Sequence, residues 1–322
     1  MSTTRTDDLP DPAEVVAAAE RVRGRVLRTP LRRSPWLSSV AGGDVFLKLE
    51  TLQPTFSYKV RGAVNAIRKL LEQNGARSGR IVTASAGNHG RALAYAAGVA
   101  DLSLTVYVPE TAPRTKLEAI RSAGADVRPC ADYDEAERRA RDDAASSGAT
   151  FISAYTHPDV IAGAGTIGLE ILEDRPDTEC VIVPVGGGGL ISGVAIVCES
   201  RIPVYGVEAA ASCPFSRGLA AGGIVRIDVA PTLADGLAGN LDPSTITFDV
   251  VRRLVAGLAL VSEDDLKAAI AGLVQHERLV VEAAGAAAAA AILSRRLQPA
   301  GRVIAVVISG GNIDPAVLKA LL

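Results

Sequence analysis

Residues 181–193, VIVPVGGGGLISG, carry a continuous apolar run straight into Gly186, Gly187, Gly188 and Gly189 and then into a helical pattern. An uninterrupted apolar run suits a strand buried on both faces, which places it inside a parallel sheet covered by helices. Consecutive glycines cost conformational entropy, so the turn is either a merely permissive corner or a place where backbone must approach a ligand. Bare N–H groups at a helix start form a cradle for an anion. No Lys-Ser or Lys-Thr pair follows the glycines, and the GxGxxG spacing with a later acidic residue is missing. A single small phosphate therefore fits better than a nucleotide.

The rest of the chain repeats the theme. Strands are expected at 44–50, 81–85, 104–109, 180–185, 203–208 and 303–309. Helices are expected at about 12–24, 59–73, 89–99, 114–123, 132–146, 157–173, 189–200, 263–276, 282–296 and 312–321. Such alternation means an α/β fold, here with two open, twisted, mostly parallel sheets flanked by helices. Strands cluster around 81–153 and again from about 180, with no Gly/Ser-rich linker between the groups. Two closely packed domains follow: residues 1–72 with 158–322 form the large one, residues 73–157 the small one. Ligands in such folds bind beyond the carboxyl ends of strands, so the strand-to-helix turns are where chemistry belongs.

Composition narrows the partner. The 322 residues include 34 Lys+Arg against 36 Asp+Glu, a net charge of −2, without a basic block. Nothing here attracts nucleic acid. No apolar stretch is long and uncharged enough to span a bilayer, since the Ala-rich run 283–292 is bounded by Glu282, Arg295 and Arg296. The polar N-terminus lacks a secretory pattern, so a cytoplasmic protein acting on a small molecule is expected. Cys130, Cys180, Cys198 and Cys213 have neither metal-ligand nor CxxC spacing and are expected to be buried and unpaired. Lysine occurs only at 48, 59, 69, 116, 267 and 319, which leaves few candidates for an amine nucleophile.

Three further turns hold reactive or ligand-binding residue types. In IVTASAGNHGRALAYAA, residues 81–97, small residues Ser85, Ala86, Gly87, Asn88 and His89 stand at a strand-to-helix junction. They suit a carboxylate or phosphate site, and equally an ordinary helix cap. In LETLQPTFSYKVRGAVNAI, residues 49–67, Lys59 opens a helix beside Tyr58. That is a context for an imine-forming amine, and also for a solvated lysine. VVISGGNID, residues 306–314, ends a strand with Ser309, whose hydroxyl is placed to meet a ligand heteroatom.

Taken in order, RTPL (28–31), SYKVRGA, SAGNHGRALAYAA, VIAGAGTIGLEI (160–171), VPVGGGGLISG, TLADGLA (232–238) and SGGN resemble the threonine/serine dehydratase group of fold type II pyridoxal-phosphate (PLP) enzymes, which also contains serine racemases. The resemblance covers nearly the whole chain. It implies that Lys59 carries the cofactor through its amine and that Tyr58, where relatives usually have Phe, lies against one cofactor face. It implies that Gly186, Gly187, Gly188, Gly189 and Leu190 hold the phosphate and that Asn88 bonds the 3-hydroxyl. Ser85, Ala86, Gly87, Asn88 and His89 would receive the substrate carboxylate, and Ser309 would meet the pyridine nitrogen. A neutral hydroxyl there makes the ring a weaker electron sink, which suits β-elimination. The implied activity is dehydration and deamination of a β-hydroxy amino acid such as L-threonine or L-serine to a 2-oxo acid and ammonia. A homodimer is expected by family analogy.

Departures from the group carry information too. Racemases of the group have a second Ser in the asparagine loop, where this chain has Ala86, so racemisation is disfavoured. β-Replacement synthases usually show TSGNT where this chain has SAGNH. A non-catalytic phosphate-ligand binder would keep the glycines without needing Lys59. The relatives' TGSFK has become Thr55-Phe56-Ser57-Tyr58-Lys59, placing a bulky Phe where they have Gly. Glu208 matches a divalent-cation ligand of several relatives, but the Asp expected six residues later is Pro214, so a cation is doubtful. With so few residues after Asn312, no C-terminal regulatory domain is expected.

Overall fold

The computed structural model describes residues 11–74, 79–199, 201–299 and 301–322. The polar stretch before Asp11, residue 200 at the end of the helix expected at 189–200, and residues 75–78 at the start of the expected small domain lie outside that set. The strands are β1 (Leu31–Arg33), β2 (Asp44–Leu49), β3 (Ile81–Ala84), β4 (Leu104–Pro109), β5 (Asp126–Cys130), β6 (Thr150–Phe151), β7 (Cys180–Pro184), β8 (Val204–Ala209), β9 (Gly257–Val261) and β10 (Val303–Ile308). The helices are α1 (Pro12–Val22), α2 (Pro35–Ala41), α3 (Lys59–Asn74), α4 (Asn88–Val99), α5 (Arg114–Ser122), α6 (Tyr133–Ser147), α7 (Pro158–Asp174), α8 (Gly189–Cys198), α9 (Pro214–Ala221), α10 (Thr247–Leu254), α11 (Glu263–Gly272), α12 (Ala283–Leu293) and α13 (Pro315–Leu321).

A six-stranded sheet has the order β1-β2-β10-β7-β8-β9, and a four-stranded sheet the order β5-β4-β3-β6. Every pairing is parallel except β1 with β2, which is antiparallel. The apolar runs are buried on both faces. On β10, Ile304, Val306 and Ile308 join the core that holds α12, while Ala305 and Val307 join the core that holds α8. The Ala-rich run forms α12, in which residues 283–292 are all buried; small side chains let the helix be packed closely between the sheet on one side and α2 and α11 on others. All four cysteines are buried and unpaired, as expected. Short or polar strands gave no apolar run to read: β5 is DVRPC, β6 is TF and β1 is LRR.

The two sheets are joined where α3, whose first residue is Lys59, packs on α7 and α4. Arg61, fully buried in α3, sits between two carboxylates. Its Nε and Nη2 donate to Glu50 at 2.7 and 2.8 Å, and its Nη1 and Nη2 to Glu170 at 2.6 and 2.8 Å. Buried Lys48 also donates to Glu170, at 2.6 Å, and to the Thr29 carbonyl. Burial alone would raise the Glu50 carboxyl, but the Arg61 guanidinium outweighs it and holds the group below its ordinary value of 4.5. Ion pairs Lys116–Asp235 and Arg141–Asp242 (2.5 Å) tie α5 and α6 to the loop that follows α9.

Removing one partner of a buried pair leaves an uncompensated charge, so Arg61→Leu is expected to lower unfolding stability by about 3–5 kcal/mol in urea titrations. The wild type binds fewer protons at Glu50 when folded, so this contribution is complete above pH 4.5 and fades as pH falls through the lowered folded pKa. The variant is expected to lack that part of the acid dependence.

Candidate active site

The carboxyl ends of β3, β7 and β10 and the start of α3 converge on one place. Ser57 pairs with Gly310, the Tyr58 amide donates to the Ser309 carbonyl at 3.0 Å, and the Gly311 amide donates to the Phe56 carbonyl at 2.9 Å. The loop before Lys59 is thereby sewn to the turn after β10. Lys59 reaches across to the segment after β6, where its Nζ donates to the Ala154 carbonyl at 2.9 Å and lies 5.1 Å from the Tyr58 ring centre. The next residue, Tyr155, lays its ring on Gly187 and its backbone against Gly189, while its hydroxyl accepts from the Asp242 amide at 3.1 Å. Lys59 and the glycine turn are therefore brought together by adjacent residues of one segment.

The glycine turn has the properties of an anion cradle. The amides of Gly186, Gly187, Gly188, Gly189 and Leu190 donate no hydrogen bond among the described residues, although Gly189 and Leu190 are buried. Buried N–H groups are rarely left without an acceptor, and this set at a helix start suits the oxygens of a small anion. Gly188 has φ +84°, and a Cβ on Gly187 would collide with the Tyr155 ring, so neither position accepts another residue without displacement. Ser309 is buried, and its hydroxyl makes no hydrogen bond among the described residues.

A second cradle stands at the start of α4. The amides of Ala86, Asn88, His89 and Gly90 donate no backbone hydrogen bond among the described residues, while Ser85 Oγ accepts from the Gly87 amide at 3.2 Å. His89 lies beneath them. Its Nε2 donates to the Ile152 carbonyl at 3.1 Å, and burial, helped by the Lys59 charge, pushes its pKa down to about 3. The ring is neutral at working pH and acts as a prop.

Sequence reasoning missed the chain of groups behind Asn88. Arg91 Nη1 donates to Asn312 Oδ1 at 2.7 Å, Asn312 Nδ2 donates to Asn88 Oδ1 at 2.6 Å, and Asn88 Nδ2 donates to Glu282 Oε1 at 2.6 Å. Arginine can only donate, so it fixes both amides in turn and leaves one Asn88 N–H to face outward. Glu282 is buried at the start of α12, where burial pushes its carboxyl up to about 7, against the pull of the Asn88 hydrogen bond. Asp235 adds to the rise and Lys116 opposes it. A lone glutamate before the apolar run 283–292 was the available signal. Glu208 is also buried, but both its oxygens accept from the start of α9, from Phe215 and Ser216, so the carboxylate caps a helix. No cluster of three metal-ligating side chains exists among the described residues. Because the folded chain holds a proton on Glu282 above the ordinary carboxylate value of 4.5, its stability falls as pH rises from about 4.5 to about 7. Glu282→Gln is expected to flatten that fall in urea midpoints measured before cofactor loading.

The chain is similar over most of its length to known proteins. The family model described as pyridoxal-phosphate dependent enzyme matches residues 22–310. The chain is 42% identical to an L-threonine ammonia-lyase of Thermotoga maritima over 94% of its own length and 75% of the relative's. It is 37% identical to the catabolic L-threonine dehydratase of Escherichia coli K12, over 96% and 95%. The solved structure of maize serine racemase superposes with a TM-score of 0.89 at 30% identity, covering 96% of each chain. No helix among the described residues is long and apolar enough to cross a membrane. With a family match over most of its length, and a lysine beside a cradle of unpartnered amides, this chain belongs to the pyridoxal-phosphate dependent enzymes.

Proposed function

We propose that the chain is a lyase that eliminates water from a β-hydroxy amino acid such as L-threonine or L-serine, after which one water is taken up as ammonia leaves, so that the net products are a 2-oxo acid and ammonia. The observation that carries this reading is the single segment, Ala154–Tyr155, that holds the Lys59 amine and packs on Gly187 and Gly189 of the glycine turn. When bound, PLP supplies an aldehyde for amines and a ring that accepts the electron pair left at Cα.

The chain's own residues supply the rest. Gly186, Gly187, Gly188, Gly189 and Leu190 hold the phosphate with their amides and the dipole of α8. Tyr58 backs one ring face, Ser309 meets the pyridine nitrogen as a neutral partner, and the outward N–H of Asn88 meets the 3-hydroxyl. In the loop Ser85, Ala86, Gly87, Asn88 and His89, the free amides of Ala86, Asn88 and His89 receive the substrate carboxylate and orient the Cα–H bond. The Lys59 amine would hold the cofactor and would take the Cα proton as general base. The loop after α9, pinned by Lys116–Asp235 and Arg141–Asp242, closes the cleft against water. In this reading residues 73–157 move as a small domain against 1–72 and 158–322, and the enzyme works as a cytoplasmic homodimer on a free amino acid.

Racemisation has one observation in its favour, the maize structure, and one against it. Ala86 has no proton to give to the face opposite Lys59.

The PLP-loaded protein is expected to release 2-oxo acid from one or a few members of a panel of β-hydroxy amino acids without an added nucleophile. Silence across the panel would overturn the reading. Lys59→Ala is expected to abolish release and to prevent borohydride from fixing the cofactor to the chain. Ala86→Ser is expected to introduce racemisation of serine, read by chiral chromatography, and racemisation by the wild type would reject the role given to Ala86.

A further inference from the structure

Of two residues at the rim of the site, Phe56 has no part in the chemistry above and Arg91 acts there only through Asn312, and both are costly as they stand. Phe56 holds a left-handed backbone at φ +56°, where a side chain costs about 1–2 kcal/mol. Burial does not offset this, since Phe56 is 50% exposed. The guanidinium of Arg91 lies 5.2 Å from its ring centre. Arg91 is half-buried but forms no ion pair among the described residues; its one hydrogen bond is donated to the Asn312 side chain. The nearby carboxylate of Glu282 is reached only through Asn312 and Asn88. A cation partly removed from water, without a counter-charge and with donors to spare, is unfavourable unless a ligand anion completes it. Strained backbone persists at places where function requires it.

Position decides which anion. Arg91 is one turn along α4 from Asn88, so both project from the same side of the helix. The unpartnered amides of Ala86, Asn88, His89 and Gly90 lie at the same helix start, and Phe56 belongs to the loop that delivers Lys59. An amino acid held by its α-carboxylate on those amides, with its amine toward Lys59, has the Arg91 side of the rim open to its side chain. We infer that Arg91, seated on the Phe56 ring, is a specificity determinant that selects a β-hydroxy amino acid bearing a second carboxylate on its side chain. The inference rests on the proposed amino acid chemistry and names its substrate class. Phe56 positions Arg91; Arg91 touches the substrate.

Binding tests it apart from turnover. The PLP-loaded enzyme is titrated with L-aspartate and with L-alanine, neither of which has a hydroxyl to lose, and the change in cofactor absorbance gives each Kd. L-Aspartate is expected to bind at least about ten-fold tighter, the scale of one charge-assisted contact. Arg91→Gln is expected to erase that ratio and Arg91→Lys to restore part of it. Phe56→Gly relieves the backbone strain and removes the ring, and is expected to lower the ratio while keeping the fold. Equal affinity for the two amino acids, or a preference that Arg91→Gln does not alter, overturns the inference. Release of 2-oxo acid from serine or threonine without a preference for the diacid would sink it and spare the proposed elimination. A diacid preference without 2-oxo acid from any β-hydroxy amino acid, 3-hydroxyaspartate included, would do the reverse.

Discussion

Arg61 is the point on which the geometry of the site depends. Its guanidinium is buried between Glu50, just past the end of β2, and Glu170 on α7, and Lys48 joins from β2 itself. The arrangement fixes the rotation and height of α3, and Lys59 stands two residues before Arg61. Side chains of Val, Leu or Ala tolerate small slides against one another, whereas a planar fork engaged by two carboxylates has one register. The first turn of α3 is therefore held by polar geometry together with packing of Val60, while its later turns are held by packing of Ala63, Val64 and Ile67.

Around that fixed point the fold gathers groups whose hydrogen-bonding capacity the protein does not fill. The amides of the glycine turn, those at the start of α4, and the Ser309 hydroxyl are all without a protein partner among the described residues. Elsewhere the chain satisfies such groups closely: Glu208 caps α9, Asp132 caps α6 and Ser262 caps α11. The contrast marks the site better than cavity shape does. A cradle of donors costs stability when nothing occupies it, and this cost is accepted where a phosphate or carboxylate arrives.

The interior strands that run on apolar residues were legible, because burial on both faces leaves a continuous signal; β9, GLALV, is apolar too but short, partly exposed and at a sheet edge, and was missed. β5, with Asp126, Arg128 and Pro129, was not, because an edge strand of a sheet faces water and needs no apolar pattern. The π-helical turn Leu273–Glu277 that ends the helix expected at 263–276 was hidden for a similar reason: its composition is that of a helix, and only the positive φ of Arg278 stops it. Among the site residues, glycines, Lys59 and Asn88 announced themselves by type and by their place at strand ends. Ala154 contributes a carbonyl, which every residue has, and no sequence feature could single it out. Glu282 acts through Asn88, which lies 194 positions away.

The sequence by itself determined the α/β alternation, the family and the places where backbone must stay bare, because glycine, lysine and buried apolar runs have few physical uses. Only the tertiary structure decided how those places work together. It joined Arg91, Asn312, Asn88 and Glu282 into one chain, set Tyr155 over the glycine turn, and placed Phe56 beneath Arg91 at the rim. Hydrogen-bond direction and charge pairing depend on distances of a few ångströms between residues far apart in the chain. The order of residues does not contain those distances until the sheets have packed.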